Sequence, residues 1–217
     1  MYVIDDCRLM KNIIIIASKA RGTRFLFRRA KEISKSFPAR VKKFFELTRH
    51  PRNEQSCCNY LNSETKVVAV FFSHGNEKEI LGWCGQEQRT LIKYPDTYKI
   101  LKGLCVATFS CSSARILGRK AVENRVVNVF FGFDIDISWQ GFNEQEFKTY
   151  LGKIIEKTIG DAIRKKESFK QFSKNIGLDL IRNIKHEFPG KKTEFVIERF
   201  ETLSNAIYCG GNSLETF

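Results

Sequence analysis

Histidine is scarce in this chain, with three among 217 residues, and one of them ends the most strand-like run in the sequence. In "VVAVFFSHGNEKEILGW" (67–83) the apolar run Val67 to Phe72 meets Ser73, His74 and Gly75. A second apolar run, "GLCVATFS" (103–110), meets Cys111, Ser112 and Ser113 in the same way. An imidazole and a thiol that face one cleft make a general base and a nucleophile. The thiolate is the reactive form, and a nearby imidazolium lowers the thiol pKa. Gly75 leaves its amide open to a bound carbonyl oxygen. The Cys111 amide is expected to open the following helix, where its N–H and the helix dipole would help hold an oxyanion. The candidate catalytic pair is therefore His74 and Cys111, with Gly75 and Cys111 as oxyanion donors. Taken singly, a strand-end His reads as a turn residue and a Cys in a strand as a small core residue; Cys105, inside "LCVAT", reads as the latter. What lifts His74 and Cys111 above that reading is their matching depth at two strand ends, each flanked by small residues.

The elements that must position this pair alternate between strands and helices. "NIIIIAS" (12–18) is a short β-branched run and reads as a buried strand. An amphipathic helix follows over 23–37, stopped by Pro38. "VKKFFELT" (41–48) reads as a second strand, and 53–63 as a short helix or loop. Strands are expected over 66–75, 103–110 and 126–133, with a small hairpin excursion over 79–95 and a helix over 113–125. From 143 to 166 the apolar residues fall at three- and four-residue spacing, the mark of one helix face. A second helix follows over 169–184, with a break expected at Gly177, and "TEFVIERF" (193–200) could be a last strand or a short helix. The sum is an α/β fold, a three-layer sandwich with a mainly parallel central sheet and helices on both faces. Its core is expected over about 12–166 of a single domain (1–217), with a C-terminal helical extension over about 167–217. Functional loops in such sheets sit at the carboxyl ends of the strands. Consecutive strands are usually neighbours, which would put His74 and Cys111 side by side.

Composition limits the function classes. Hydrophobic residues make up 42% of the chain, too many for a disordered protein. No apolar run approaches the roughly 20 residues of a membrane span, and Ile13–Ala17 is too short for a signal-peptide core; the expectation is a cytoplasmic protein. Seven cysteines, an odd number without a CxxC pair, argue against a disulfide framework or a structural zinc site. No metal or cofactor is expected. The formal charge of +13 favours polyanions or an acidic partner. Its densest source is "RGTRFLFRRAKEISKSFPARVKK" (21–43), where the charges are expected to line the outer face of the helix.

Together, "VVAVFFSHGN" and "FSCSSA", with 36 residues between His74 and Cys111, resemble the caspase–hemoglobinase (clan CD-like) cysteine peptidases. In that group an apolar strand ends in His-Gly and a later one in a small-residue Cys motif; papain-like enzymes have the reverse order. Within the group the chain is most similar to the bacterial CHAT-domain proteases, through "VVNVFFGFD" and the long helical region ending near "TIGDAIRKK". The resemblance covers about 12–166 and implies a caspase-like fold. Residue by residue it implies that Cys111 is the nucleophile, His74 the general base and acid, and Gly75 an oxyanion donor, with no third carboxylate needed. It also implies a cysteine endopeptidase that cleaves a partner protein, in a bacterial defence or programmed-death setting, switched on by a separate sensor or effector. The small, neutral "SCSS" departs from relatives that carry an acidic residue before the Cys or a bulky one after it, which bears on the substrate pocket.

Asp134 and Asp136 in "FGFDIDISW" follow the next strand, and Asp134 could contribute to a pocket for a basic P1 residue. Trp139 could wall the same pocket. Turn or solvent positions for both Asp, and core packing for Trp139, are the plainer alternatives. The competing functional class is a non-catalytic α/β binding or sensor module for a nucleotide, nucleic acid or protein. "ASKARGTR" (17–24) lacks a Gly-rich phosphate signature, and no aromatic-interleaved nucleic-acid motif occurs. A serine hydrolase is disfavoured because no GxSxG is present.

Overall fold

The computed structural model describes residues 12–65, 67–84, 88–137, 144–182, 184–188 and 193–217. Trp139 lies outside the described residues. The chain runs β1 (Ile13–Ser18), α1 (Arg24–Ser36), β2 (Val41–Leu47), α2 (Pro51–Ser63) and β3 (Val68–Phe72). A hairpin of β4 (Glu79–Cys84) and β5 (Gln88–Lys93) precedes β6 (Cys105–Thr108), α3 (Arg119–Glu123) and β7 (Val129–Phe133). Then come α4 (Glu144–Lys165), α5 (Phe169–Arg182), α6 (Ile184–Glu187), α7 (Thr193–Asn205) and β8 (Ile207–Gly211). The main sheet has the order β2-β1-β3-β6-β7-β8. All its pairings are parallel except β7 with β8. The three-layer α/β architecture expected from the sequence is the one found.

The unbroken apolar strands follow from the layers. Successive side chains of a strand point to opposite faces, and here both faces are covered. Ile13, Ile15 and Ala17 of β1 join Val68, Val70 and Phe72 of β3 in the core under α1, α4, α5 and α7. Ile14, Ile16, Ala69 and Phe71 join the opposite core, under α2, the hairpin and the segment around α3. A polar residue at any of these positions would be buried without a partner, so the runs contain none. Along α1 the buried residues are Leu26, Phe27, Ala30 and Ile33, a single helical stripe.

Several expectations are sharpened or corrected. Residues 51–63 form a full helix, with Pro51 in its first turn, where a missing N–H is tolerated. Gly177 does not break α5. It is buried at the crossing with α7, where Ser204 Oγ donates to the Gly177 carbonyl at 3.0 Å and a Cβ on Gly177 would sit 3.0 Å from that oxygen. The segment 193–200 is helical and continues to Asn205. The helix expected over 113–125 opens as a π-helical turn, Ala114–Gly118, and is α-helical only over α3. Gly118 lets that turn pack closely on β7, since a Cβ there would lie 2.5 Å from the Phe130 ring. Residues 167–217 contribute more than helices: β8 closes the sheet edge beside β7.

Candidate active site

The strand order sets the place of the cleft. From β1 the chain leaves towards β2, while β3 and its successors build the other side of the sheet. The loops after β1 and β3 therefore diverge, leaving a crevice at the carboxyl ends of the strands. A cavity of about 430 Å³ occupies this crevice. It is lined by Gly22 and Thr23 after β1, His74 and Gly75 after β3, Cys111 after β6, and Asp136 and Ile137 after β7. Phe25, Leu26, Phe109 and Phe147 supply its apolar wall.

His74 and Cys111 stand in register. Strands β3 and β6 pair from Val68↔Cys105 to Phe71↔Thr108, and each candidate residue lies three positions beyond the last pair. Parallel neighbours run about 4.8 Å apart. The strand ends are also clipped together below the site. Ser73 Oγ and Ser110 Oγ lie 3.0 Å apart, and Thr108 Oγ1 donates to Ser110 Oγ at 3.0 Å. Ser113 Oγ donates to the Ser110 carbonyl at 3.0 Å. All four hydroxyls are buried, so each needs a partner within the protein. The residue immediately before the imidazole and the residue immediately before the thiol thus share one hydrogen bond.

Two glycines make the close approach possible. A Cβ on Gly75 would meet Ser110 Cβ at 2.7 Å and the Cys111 carbonyl oxygen at 3.3 Å, which shows how closely the His-Gly turn approaches the Cys segment. Gly75 faces Ile80 in an antiparallel bridge whose two bonds, Leu81 N–H to the His74 carbonyl and Asn76 N–H to the Glu79 carbonyl, flank it. At such a position the residue's own N–H points away from its bridge partner. Gly22 was not anticipated from the sequence. A Cβ there would lie 2.5 Å from both Cε1 and Nε2 of His74, so the imidazole edge rests on the Gly22 backbone. The available signal was a glycine just past the first buried strand, on the edge where loops carry function.

The sulfur of Cys111 is held by the loop after β7. The Ile137 N–H donates to Sγ at 3.3 Å, and the thiol lies 3.8 Å from the Ile137 carbonyl oxygen. Burial raises the Cys111 pKa, the Ile137 amide opposes that rise, and the Asp136 charge adds to it. Burial lowers the His74 pKa, and the Lys148 cation lowers it further. Lys148 is on α4, 5.8 Å over the Phe25 ring and ion-paired with Glu144. Both shifts favour a neutral imidazole beside a neutral thiol. Ser112 adopts a left-handed backbone, φ 50°, and its hydroxyl donates to Asp136 Oδ1 at 2.6 Å. The segment 111–113 is therefore a turn, and helical structure begins at Ala114.

The two aspartates separate. Asp136 lines the cavity. Asp134 is absent from that lining and receives Arg119 at 2.6 Å, the same guanidinium that stacks 4.7 Å over the Tyr208 ring of β8. Among the described residues no group of three or more His, Cys, Asp or Glu could hold a metal ion, and no helix is long and apolar enough to cross a membrane. The described cysteines Cys57, Cys58, Cys105, Cys111 and Cys209 are free thiols, and Cys105 is fully buried in the core.

No protein-family model matches this chain, and no curated protein does. Among solved structures it is similar to the Arg specific cysteine proteinase gingipain R (RGPB), with a TM-score of 0.59 at 12% sequence identity. The match covers 94% of this chain and 47% of that one, so the chain spans about half the length of its structural neighbour. At this identity the likeness is one of fold: the chain shares the three-layer α/β architecture of that structure.

Proposed function

We propose that the cavity is the active site of a cysteine endopeptidase with a His74/Cys111 dyad. The reading is supported above all by the meeting of these two residues, from in-register neighbouring strands, in one cavity of a cysteine-proteinase fold. His74 takes the thiol proton as Sγ of Cys111 attacks the scissile carbonyl carbon. The carbonyl π-electrons move onto oxygen, and the amides of Gly75 and Cys111 hold the resulting oxyanion. The C–N bond then breaks as His74 gives its proton to the leaving amine, which leaves a thioester on Cys111. Water attacks the thioester, losing a proton to His74. The acid departs and the proton returns to Sγ.

In this reading the loop after β7 forms the specificity wall. Asp136 presents a carboxylate to the cavity among Phe25, Phe109 and Phe147, a setting that suits a long aliphatic stem with a cationic head. Asp134, two residues earlier, adds negative potential that is partly offset by Arg119. The partner-protein substrate, the CHAT-like relationship, the defence role and activation by a separate sensor or effector belong to this proposal.

The test is covalent labelling by a panel of peptidyl acyloxymethyl ketones with different P1 residues, with peptide mapping of the adduct. Labelling of Cys111 that is lost in His74→Ala, together with peptide cleavage lost in Cys111→Ala, is the expected result. Cleavage that persists in Cys111→Ala refutes the dyad. Equal or faster cleavage after Asp or Leu than after Arg or Lys refutes the acidic wall.

A further inference from the structure

The basic residues of the segment singled out in the sequence are absent from the cavity lining, and their arrangement on α1 is specific. Arg24, Arg28, Lys31 and Lys35 occur at i, i+4, i+7 and i+11, which puts them on one stripe of the helix. Leu26, Phe27, Ala30 and Ile33 face the core, and at about 100° per residue the cationic stripe lies on the opposite side. Arg24, Arg28, Lys31 and Lys35 are all exposed. Lys35 pairs with Glu32, while Arg24, Arg28 and Lys31 have no carboxylate within 4 Å among the described residues. Arg29, turned towards α4, is neutralised by Glu156 at 2.8 Å. Arg24, Arg28 and Lys31 thus face water, as does Lys35 with Glu32 beside it, and Arg29 faces the protein.

We infer that this face of α1 is a docking surface for the phosphate backbone of a nucleic-acid duplex. The stripe spans about 16 Å, from a rise of about 1.5 Å per residue, and a duplex presents one charge per about 1.7 Å of axis. A straight row of cations one helical turn apart matches a uniform line of phosphates, and two of them are guanidiniums able to grip phosphate with two hydrogen bonds. What the stripe lacks is as informative. It carries no exposed apolar or aromatic residue, since Phe25 faces the cavity and Phe27 is buried. Protein partners are anchored mainly by buried aromatic and apolar residues, and single strands stack their bases on aromatics. Neither has a foothold here, so contact is to the duplex backbone and independent of sequence. The helix begins directly after Thr23 of the cleft wall, so a duplex on the stripe lies beside the cavity mouth. Nothing in this inference depends on the catalytic reading.

The experiment is fluorescence anisotropy with a labelled 20-base-pair mixed-sequence duplex, titrated between 50 and 200 mM salt, alongside a labelled poly-glutamate peptide of similar charge. The duplex is expected to bind, with log K falling linearly against log salt. Neutralising Arg24, Arg28 and Lys31 to Gln should lower the slope by about 2.7, at about 0.9 per phosphate contact, with circular dichroism unchanged. Neutralising Lys166, Lys170 and Lys174, an equal charge change at and beside α5, should leave the slope intact. Failure of the duplex to bind at 50 mM salt, tighter binding of poly-glutamate than of duplex, or an equal slope loss in both triple variants would each overturn the assignment.

Discussion

Replacing Gly22 by Ala puts one methyl group against the imidazole of His74. An ideal Cβ at this position lies 2.5 Å from both Cε1 and Nε2 of that ring. Carbon–carbon contacts are comfortable at about 3.5–4.0 Å, so the ring must retreat by about 1 Å. It can do so because it is the free end of a side chain, whereas the Gly22 backbone is pinned in the turn Arg21–Thr23 between β1 and α1. A misplacement of about 1 Å in a catalytic group costs on the order of 100-fold in rate, or about 2.7 kcal/mol of transition-state stabilisation. Gly22 has no left-handed φ, so Ala adds no backbone strain and should hold or raise stability by about 0.4–1 kcal/mol through the unfolded chain. The expected signature is a split: kcat/KM down about 100-fold on the best peptide of the panel, with Tm unchanged or slightly higher. Histidine-selective NMR of the imidazole gives a reading that needs no substrate, and the His74 resonances should move. Full activity together with unshifted His74 resonances would refute the claim that the ring rests on Gly22.

Ser110→Ala removes the centre of the buried hydroxyl cluster, taking the partner of the Ser73 hydroxyl and the acceptor of the Thr108 hydroxyl; urea denaturation should show a loss of about 1–3 kcal/mol, and a double-mutant cycle with Ser73→Ala should be clearly non-additive, whereas additive losses would deny the clip between the two strand ends. Because burial raises the Cys111 pKa from an ordinary value of 9.0 and lowers that of His74 from 6.5, alkylation of Cys111 by iodoacetamide in the free protein should climb through pH 9 without a plateau near pH 7, where the thiolate fraction is about 1% or less; a plateau between pH 6 and 8 would reveal a thiolate–imidazolium pair instead. The same His74 shift has a sign for stability: the unfolded imidazole binds a proton below pH 6.5 while the folded one resists, so this contribution is complete above pH 6.5 and is lost as pH falls towards the folded pKa. His74→Gln should flatten that acid limb in thermal melts, and an unchanged limb would assign it to other groups. Asp136→Asn should reduce cleavage after Arg or Lys more than Asp134→Asn, because Asp136 faces the cavity and Asp134 faces Arg119; the reverse order would relocate the acidic wall.

Much of this molecule is legible in the chain because its central strands are short and buried on both sides. Burial on both faces demands apolar residues without alternation, so 12–18, 66–72 and 103–109 stand out, and the polar residues that end them stand out equally. His74 and Cys111 were readable as strand-end residues for that reason. Where a local signal and a tertiary contact compete, the contact prevails. Gly177 reads as a helix breaker but lies in a helix held by Ser204 of α7. The strand Ile207–Gly211 is nearly invisible, since "IYCGG" is brief and glycine-rich and earns its place only by pairing with Val129–Phe133. Asp134 and Asp136 look equivalent two residues apart, and the reach of Arg119 to one of them separates their surroundings.

By itself, then, the sequence determined the class of fold, the two strand tips that carry a thiol and an imidazole, and the cationic outer face of the first helix, because each follows from local periodicity and burial. Only the tertiary structure decided the rest. The register of β3 on β6 sets His74 level with Cys111, the turn after β1 brings Gly22 under the imidazole, and the loop after β7 grips the sulfur through Ile137. These are contacts between segments distant in sequence, and no local propensity encodes a distance across a sheet.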